Sequence, residues 1–393
     1  MGTKESSRYE MEITDIRSYV LTDQLWKPWF IVVVETDEGV TGVGQAEANT
    51  DSRAKDAHVG KVREWFLGRD PLNIERLRTT SQETPWGLWR LNQTLFSAVE
   101  IACWDIKGKH HGVPVVDLLG GAVRDSVRAY ANRWYGGCDS PTEWADAAAS
   151  VVESGFDAIK FDPFEDATRE ISNADLRAVE DRVAGIREAV GPDPELFIEG
   201  HGRFTPATAI RIGQRLEPYE IGWFEAPVQA HQGPEAYREV REALTIPIAD
   251  DMAGTDSKFD AFQFISARAV DVIQPDPVIA GGLRETQYIA QMADAASIQT
   301  CPHAAAGPVS LTANVHVSAA IPNFKIQEAD TFTHPDWVDD VIETPLTVEN
   351  TRIPVPEGRG LGVEFDEAAA VEHTGELTAE HNVHSASFKE SFE

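Results

Sequence analysis

Leu196-Phe-Ile-Glu199, Gly222-Trp-Phe-Glu225 and Pro247-Ile-Ala-Asp-Asp251 are three short apolar runs that each close on an acid. Their length suits buried strands, and their repetition at about one interval suits successive units of one sheet. Five further runs of the same kind flank them: Val127 to Tyr130, Ala158 to Phe161, Val270 to Gln274, Ser297 to Cys301 and Phe324 to Glu328. Between the runs lie amphipathic segments such as Ala207 to Leu216, Ala236 to Leu244, Phe259 to Ala267 and Leu283 to Ala295. Strands alternating with helices predict an α/β protein built on a (β/α)-barrel of seven to eight strands.

Polar residues close six consecutive runs: Glu199, Glu225, Asp251, Asp276, His303 and Glu328, spaced by 26, 26, 25, 27 and 25 residues. In a parallel barrel every strand points its C-terminal end to one mouth, so residues in this phase converge although they are distant in sequence. Glu199, Glu225 and Asp251 then offer oxygen ligands from successive strands, which suits a hard cation such as Mg²⁺, with Mn²⁺ as the alternative. The trio contains no histidine or cysteine, which disfavours zinc. Asp250, beside Asp251, is the rival for the third position. Asp276 lies one strand from His303 and can accept its ring N–H, which would make His303 a general base. His201, two residues after Glu199, shares that ligand's face by strand alternation. Lys160 closes an apolar run where a lysine has no packing role, and Asp162 faces the same way.

Around this core the chain is organised in three parts. Residues 1–122 read as an α+β capping domain. Trp29 to Glu35 and Val40 to Gln45 form a hairpin across Thr36-Asp-Glu-Gly39, and Leu95 to Lys109 a helix with Leu95, Val99, Ala102, Cys103 and Ile106 on one face. Residues 123–340 carry the barrel, and 341–393 a Pro-, Gly- and acid-rich segment expected to return to the cap. Gly39-x-x-Gly42-x-Gly44 and Gly281-Gly282 are read as turns, since no phosphate-loop element accompanies them.

The net charge of −31 over 393 residues would repel nucleic acid and anionic membranes, and its spread along the chain matches a halophile's surface. No apolar run is long enough to span a bilayer and no leader is evident. Cys103, Cys138 and Cys301 are scattered, so a cytoplasmic protein without disulfides is expected.

Ser97-Ala-Val-Glu-Ile-Ala-Cys-Trp-Asp-Ile-Lys-Gly-Lys109, Gly112-Val-Pro114, Leu118-Leu-Gly-Gly121 and Phe224-Glu-Ala-Pro227 resemble the mandelate racemase and muconate lactonizing enzyme branch of the enolase superfamily, over about residues 11 to 366. Within it, Glu199-Gly-His-Gly-Arg203 and Pro302-His-x-x-x-Gly-Pro308 are most similar to galactonate-dehydratase-type enzymes. Three positions depart from the branch. Glu199 stands where the first ligand is usually Asp, Asp251 where the third is usually Glu, and Asp162 where the racemases carry a second lysine.

The resemblance implies dehydration of a sugar acid to a 2-keto-3-deoxy acid, and aldonates are preferred because no second basic cluster for a distal carboxylate is evident in the sequence. His303 with Asp276 would take the C2 proton, Lys160 and Glu328 would steady the enolate, and His201 would protonate the departing 3-hydroxyl. Asp162, Arg203, Asn132 and Trp134 are expected to bind substrate, together with cap loops near Trp26 to Trp29 and Pro85 to Arg90. A racemase, epimerase or cycloisomerase is the alternative within the branch, and a non-catalytic carbohydrate- or metal-binding barrel the alternative outside it. The partner is a small sugar acid, and the family habit implies a homo-oligomer.

Overall fold

The computed structural model describes residues 11–48, 52–82, 89–251, 254–330 and 334–375. The cap opens with an antiparallel sheet of β1 (Ile13–Leu21), β2 (Trp29–Thr36) and β3 (Thr41–Ala46), in that order. Gly39 makes the β2–β3 turn at φ 74°, donating its N–H to the Thr36 carbonyl at 3.0 Å. A helix, Trp89–His111, packs across the sheet and buries the expected Leu95, Val99, Ala102, Cys103 and Ile106 in the cap core.

Gly42 and Gly44 are not turn residues; they lie within β3. A Cβ on Gly44 would stand 1.9 Å from the Ala98 carbonyl oxygen, and one on Gly42 2.1 Å from that of Ala102. Their job is close approach of sheet and helix, which only a residue without Cβ permits.

Eight parallel strands follow: β4 (Ser126–Ala131), β5 (Ala158–Phe161), β6 (Glu195–Glu199), β7 (Ile221–Glu225), β8 (Ile248–Asp250), β9 (Val272–Ile273), β10 (Gln299–Thr300) and β11 (Gln327–Ala329). Their order is β10-β9-β8-β7-β6-β5-β4-β11, and a parallel bridge between Thr300 and Phe324 closes the ring. Helices between the strands, among them Pro206–Leu216, Gly233–Ala243, Lys258–Ser266 and Leu283–Ala295, shield its outer face. The β9 and β10 ladders are short because their runs give way early to the loops that carry Asp276 and His303.

Two side chains seat the cap on the barrel. Glu100, buried, accepts the N–H groups of Leu283 (2.8 Å) and Arg284 (3.1 Å) at the start of a barrel helix, along with the Trp104 indole N–H (2.7 Å). Gly282 sits at φ 99°, and a Cβ there would lie 2.1 Å from the Glu100 carboxylate. Gln45 accepts the Ser310 N–H at 2.9 Å and donates to the Ala306 carbonyl, which ties β3 to the loop following His303.

Beyond residue 340, Arg352–Pro354 pairs with β4, while Glu367 on the helix Glu367–Glu372 binds Arg17 of β1 at 2.8 and 2.9 Å. That segment therefore touches both barrel and cap. Among the described residues no helix is long and apolar enough to cross a membrane.

Candidate active site

Inside the ring, Tyr130, Ala158, Phe197, Trp223, Ala249, Val272, Cys301 and Ile326 form one apolar floor. Phe197 and Trp223 stack there with centroids 3.5 Å apart. Side chains alternate along a strand, so the residue two positions on from each floor residue faces the same interior one layer higher. Those residues are Asn132, Lys160, Glu199, Glu225, Asp251, Gln274, His303 and Glu328. A dry layer thus carries a polar one.

Lys160 sits among the acids of this layer. Its Nζ lies 2.5 Å from Glu225, 3.1 Å from Glu328 and 3.3 Å from Glu199. Burial opposes its charge, yet Glu225, Glu328 and Glu199 together hold its pKa well above the ordinary value. Glu328 also accepts the Asn132 amide (2.6 Å) and the Ala304 N–H (2.8 Å). Burial would raise its pKa, but Lys160 and His303 hold it below the usual carboxylate range.

Glu199, Glu225 and Asp251 each offer an oxygen within 4.8 Å of the others. Burial, and next the adjacent Glu199, push the Glu225 carboxyl up to about 8, while burial and Glu225 push Asp251 up to about 7. One lysine cannot neutralise so many buried acids, and Asp251 Oδ1 has no hydrogen-bond partner. Concentrated, incompletely compensated oxygen donors suit a hard divalent cation. Ala249 belongs to the floor, so alternation sends Asp250 outward, where it accepts the Gly254 N–H at 2.6 Å, and brings Asp251 inward.

Two histidine–aspartate pairs flank this triad. His303 Nδ1 is 2.8 Å from Asp276 Oδ2, while its Nε2 lies 3.7 Å from Glu328 and 4.0 Å from Asp251. Burial lowers its pKa, but Glu328, Asp276 and Asp251 outweigh that and raise it to about 10. His201 Nδ1 lies 2.5 Å from Asp162 Oδ2. It occupies a tight left-handed turn, His201 at φ 49° and Gly202 at φ 62°, whose Gly200 and Gly202 N–H groups bind the end of β7 at 2.8 and 2.7 Å. In the eight-strand ring, three strands separate β6 from β10 on either side, so the loops bearing His201 and His303 stand opposite each other.

The four residues expected to bind substrate fare differently. Arg203 donates to both Asp162 oxygens, at 2.5 and 2.6 Å, and Asp162 also accepts the Phe164 N–H at 3.0 Å. Against the opposing effect of burial, His201 and Arg203 keep Asp162 down at about 2. Both residues thus brace His201. Asn132 joins the polar layer through Glu328. Trp134 does not join it: Arg133 at φ 60° breaks the alternation, and the Trp134 ring packs outside the barrel with Tyr135, Trp144 and Phe161. Its indole N–H is satisfied by the Lys160 carbonyl at 2.9 Å.

From the cap, Trp26 lies under the Arg133 guanidinium, 3.2 Å from its ring centroid, and Trp29 packs on His334 and Trp337. Lys27 pairs with Glu47 at 2.5 Å, and against burial Lys27 and His303 help hold the Glu47 pKa below its usual value. Residues 85–88 and the side chains of Trp89 and Arg90, expected to add a further loop, lie outside the described residues.

Residues 143–369 match the family described as Enolase C-terminal domain-like, and residues 21–120 match the Mandelate racemase / muconate lactonizing enzyme N-terminal domain. The chain belongs to the enolase superfamily. A D-gluconate dehydratase from Thermoproteus tenax is 35% identical, covering 94% of this chain and 76% of the relative. A D-galactonate dehydratase from Ralstonia pickettii is also 35% identical, covering 93% and 95%. A solved mandelate racemase/muconate lactonizing enzyme-like protein from Roseovarius superposes with a TM-score of 0.87 at 32% identity, covering 94% and 96%. Enolase-superfamily enzymes use a divalent metal, and the acidic triad of this chain has the donors for one. Gln274 is the member of the polar layer that the strand-end spacing overlooked. Counting two residues on from Val272 would have found it.

Proposed function

We propose that this enolase-superfamily enzyme dehydrates an aldonate to a 2-keto-3-deoxy acid, with Mg²⁺, or alternatively Mn²⁺, held by Glu199, Glu225 and Asp251. The observation that carries the reading is the pair of aspartate-clamped histidines on opposite sides of that triad. The named activities of the two dehydratase relatives support it.

A proton next to a carboxylate lies on the order of twenty pK units above a histidine, about 27 kcal/mol at 1.36 kcal/mol per unit. The bound cation supplies Lewis-acid stabilisation of the negative charge that develops at the substrate carboxylate. Lys160, held charged by its acidic neighbours, adds a second positive centre. Asp276 accepts the Nδ1–H of His303, and with the charges of Glu328 and Asp251 offset by a bound cation the ring would be neutral and present a free Nε2 to the C2 proton. The electrons of that C–H bond pass first into the enolate of the substrate carboxylate, and their return forms the C2–C3 double bond as the C3–O bond breaks. His201, steadied at Nδ1 by Asp162, gives the departing hydroxyl its proton, and water leaves. The resulting enol tautomerises to the keto acid.

Opposed proton carriers would also serve an epimerase, which is the competing reading. Purified protein, assayed at molar salt with Mg²⁺ against a panel of aldonic and aldaric acids, separates the two. A 2-keto-3-deoxy product that disappears on chelation supports dehydration. C2 exchange or inversion without loss of water supports epimerisation, and neither reaction across the panel would sink both.

A further inference from the structure

Gln274 is a fully buried member of the polar layer, and neither its Oε1 nor its Nε2 has a hydrogen-bond partner. Its orientation follows from its neighbours. Val272 belongs to the barrel floor and Ile273 to the core on the helix side, so alternation turns Gln274 into the barrel. A buried amide left without partners is unfavourable, and an apolar side chain of the same length would avoid the penalty. The amide therefore marks a place where something polar belongs.

The adjoining strand supplies the matching orphan. β8 pairs Ala249 with Val272 and Asp250 with Ile273, and the Gln274 N–H continues the ladder to the Asp250 carbonyl at 2.9 Å. Asp251 is the next residue in that register, and its Oδ1 is likewise buried without a partner. An unpartnered donor and an unpartnered acceptor thus sit on neighbouring strands at the edge of the acidic triad. Polar groups in such a position commonly share a buried water, and groups that orient a metal-binding carboxylate govern ion affinity.

We propose that Gln274 is a positioning residue for the divalent-cation site, its amide holding Asp251 through a shared water so that this third, shorter carboxylate is set for the ion. The inference rests on the reading that Glu199, Glu225 and Asp251 bind the cation. Gln274 has no part in proton transfer, so its effect belongs to ion binding.

The test is titration calorimetry of Mn²⁺ and Mg²⁺ into the metal-free full-length protein, paired with thermal melts with and without ion. Gln274→Met keeps the length and removes the amide. Its metal-free melting temperature should stay close to that of the wild type, because a water-bridged amide is exchanged for an apolar side chain of the same length. Its ion affinity should fall roughly 10- to 100-fold, the range typical for loss of a group that orients a ligand, and the ion-induced rise in melting temperature should shrink. Gln274→Glu, which folds without needing an apolar contact, should melt lower than the wild type when metal-free and gain more from the ion. An affinity of Gln274→Met within twofold of wild type overturns the inference and leaves the triad reading standing, as does a Gln274→Glu variant with an unaltered ion-induced rise. No ion binding by the wild type overturns both.

Discussion

His316 is fully buried and His303 largely so; they lie on consecutive stretches of the same loop and helix and titrate in opposite directions, His303 raised to about 10 and His316 lowered to about 4. Burial pushes each of them down. The difference lies in what surrounds the rings. His316 accepts the Val116 N–H at Nδ1 (3.2 Å) and bonds the Leu361 carbonyl at Nε2 (3.0 Å), so it knits barrel, cap and C-terminal segment together as a neutral ring. His303 faces Asp276, Glu328 and Asp251. Carboxylate company, rather than burial, separates a proton-handling histidine from a structural one. His201, raised with the help of Glu199 and Asp162, falls on the side of His303.

Breaking the comparison at its functional end should have the largest effect. His303→Asn should lower dehydration by about 10²- to 10⁴-fold, the usual contribution of a general base, and should abolish C2 exchange in parallel. Steady-state kinetics together with NMR in D₂O check this, and survival of C2 exchange would assign the base elsewhere. Asp162→Asn should act more selectively. It leaves His303 intact but loosens His201, so dehydration should drop roughly 10- to 100-fold, the loss typical when a supporting group is removed, while C2 exchange stays within a few-fold of wild type. Equal losses in both would mean that Asp162 supports the site as a whole.

At the structural histidine the effect falls on stability and leaves the reaction untouched. Its folded pKa lies below the unfolded value of 6.5, so its neutral ring contributes stability that is fully present above pH 6.5. As pH falls from 6.5 towards 4, the unfolded chain takes up the proton first, and up to about 3 kcal/mol is lost at 1.36 kcal/mol per unit. His316→Gln retains one acceptor and one donor but does not titrate. Denaturant melts between these pH values should give a shallower decline for the variant, and an identical decline would remove His316 as the cause.

The barrel could be read from the chain because each βα unit repeats at about 26 residues and closes on a polar group, a rhythm that survives ignorance of every loop. Convergence of the triad followed from the same rhythm, and with Ala249 on the floor it is Asp251, not Asp250, whose oxygens lie beside Glu199 and Glu225. Gln274 escaped because it carries no charge and sits between Ile273 and Pro275 without the look of a strand-end ligand. Trp134 misled because a single left-handed residue, Arg133, reverses the side on which the following ring packs. Asp162 and Arg203 were visible as polar neighbours of the site, but their mutual bond depends on the Gly200–Gly202 turn folding beside β5, a three-dimensional fact that spacing does not encode. Gly42 and Gly44 looked like turn residues because the helix that presses on them is more than fifty residues away in sequence.

The central claim is a division of labour, with His303 removing the C2 proton and His201 releasing the 3-hydroxyl across the acidic triad. The direct measurement is ¹H NMR of His201→Asn in D₂O with Mg²⁺ and an aldonate that the wild type dehydrates. The predicted result is replacement of the C2 hydrogen by deuterium with no 2-keto-3-deoxy acid formed. Formation of the keto acid at the wild-type rate, or loss of C2 exchange together with dehydration in a folded, ion-binding variant, would contradict it.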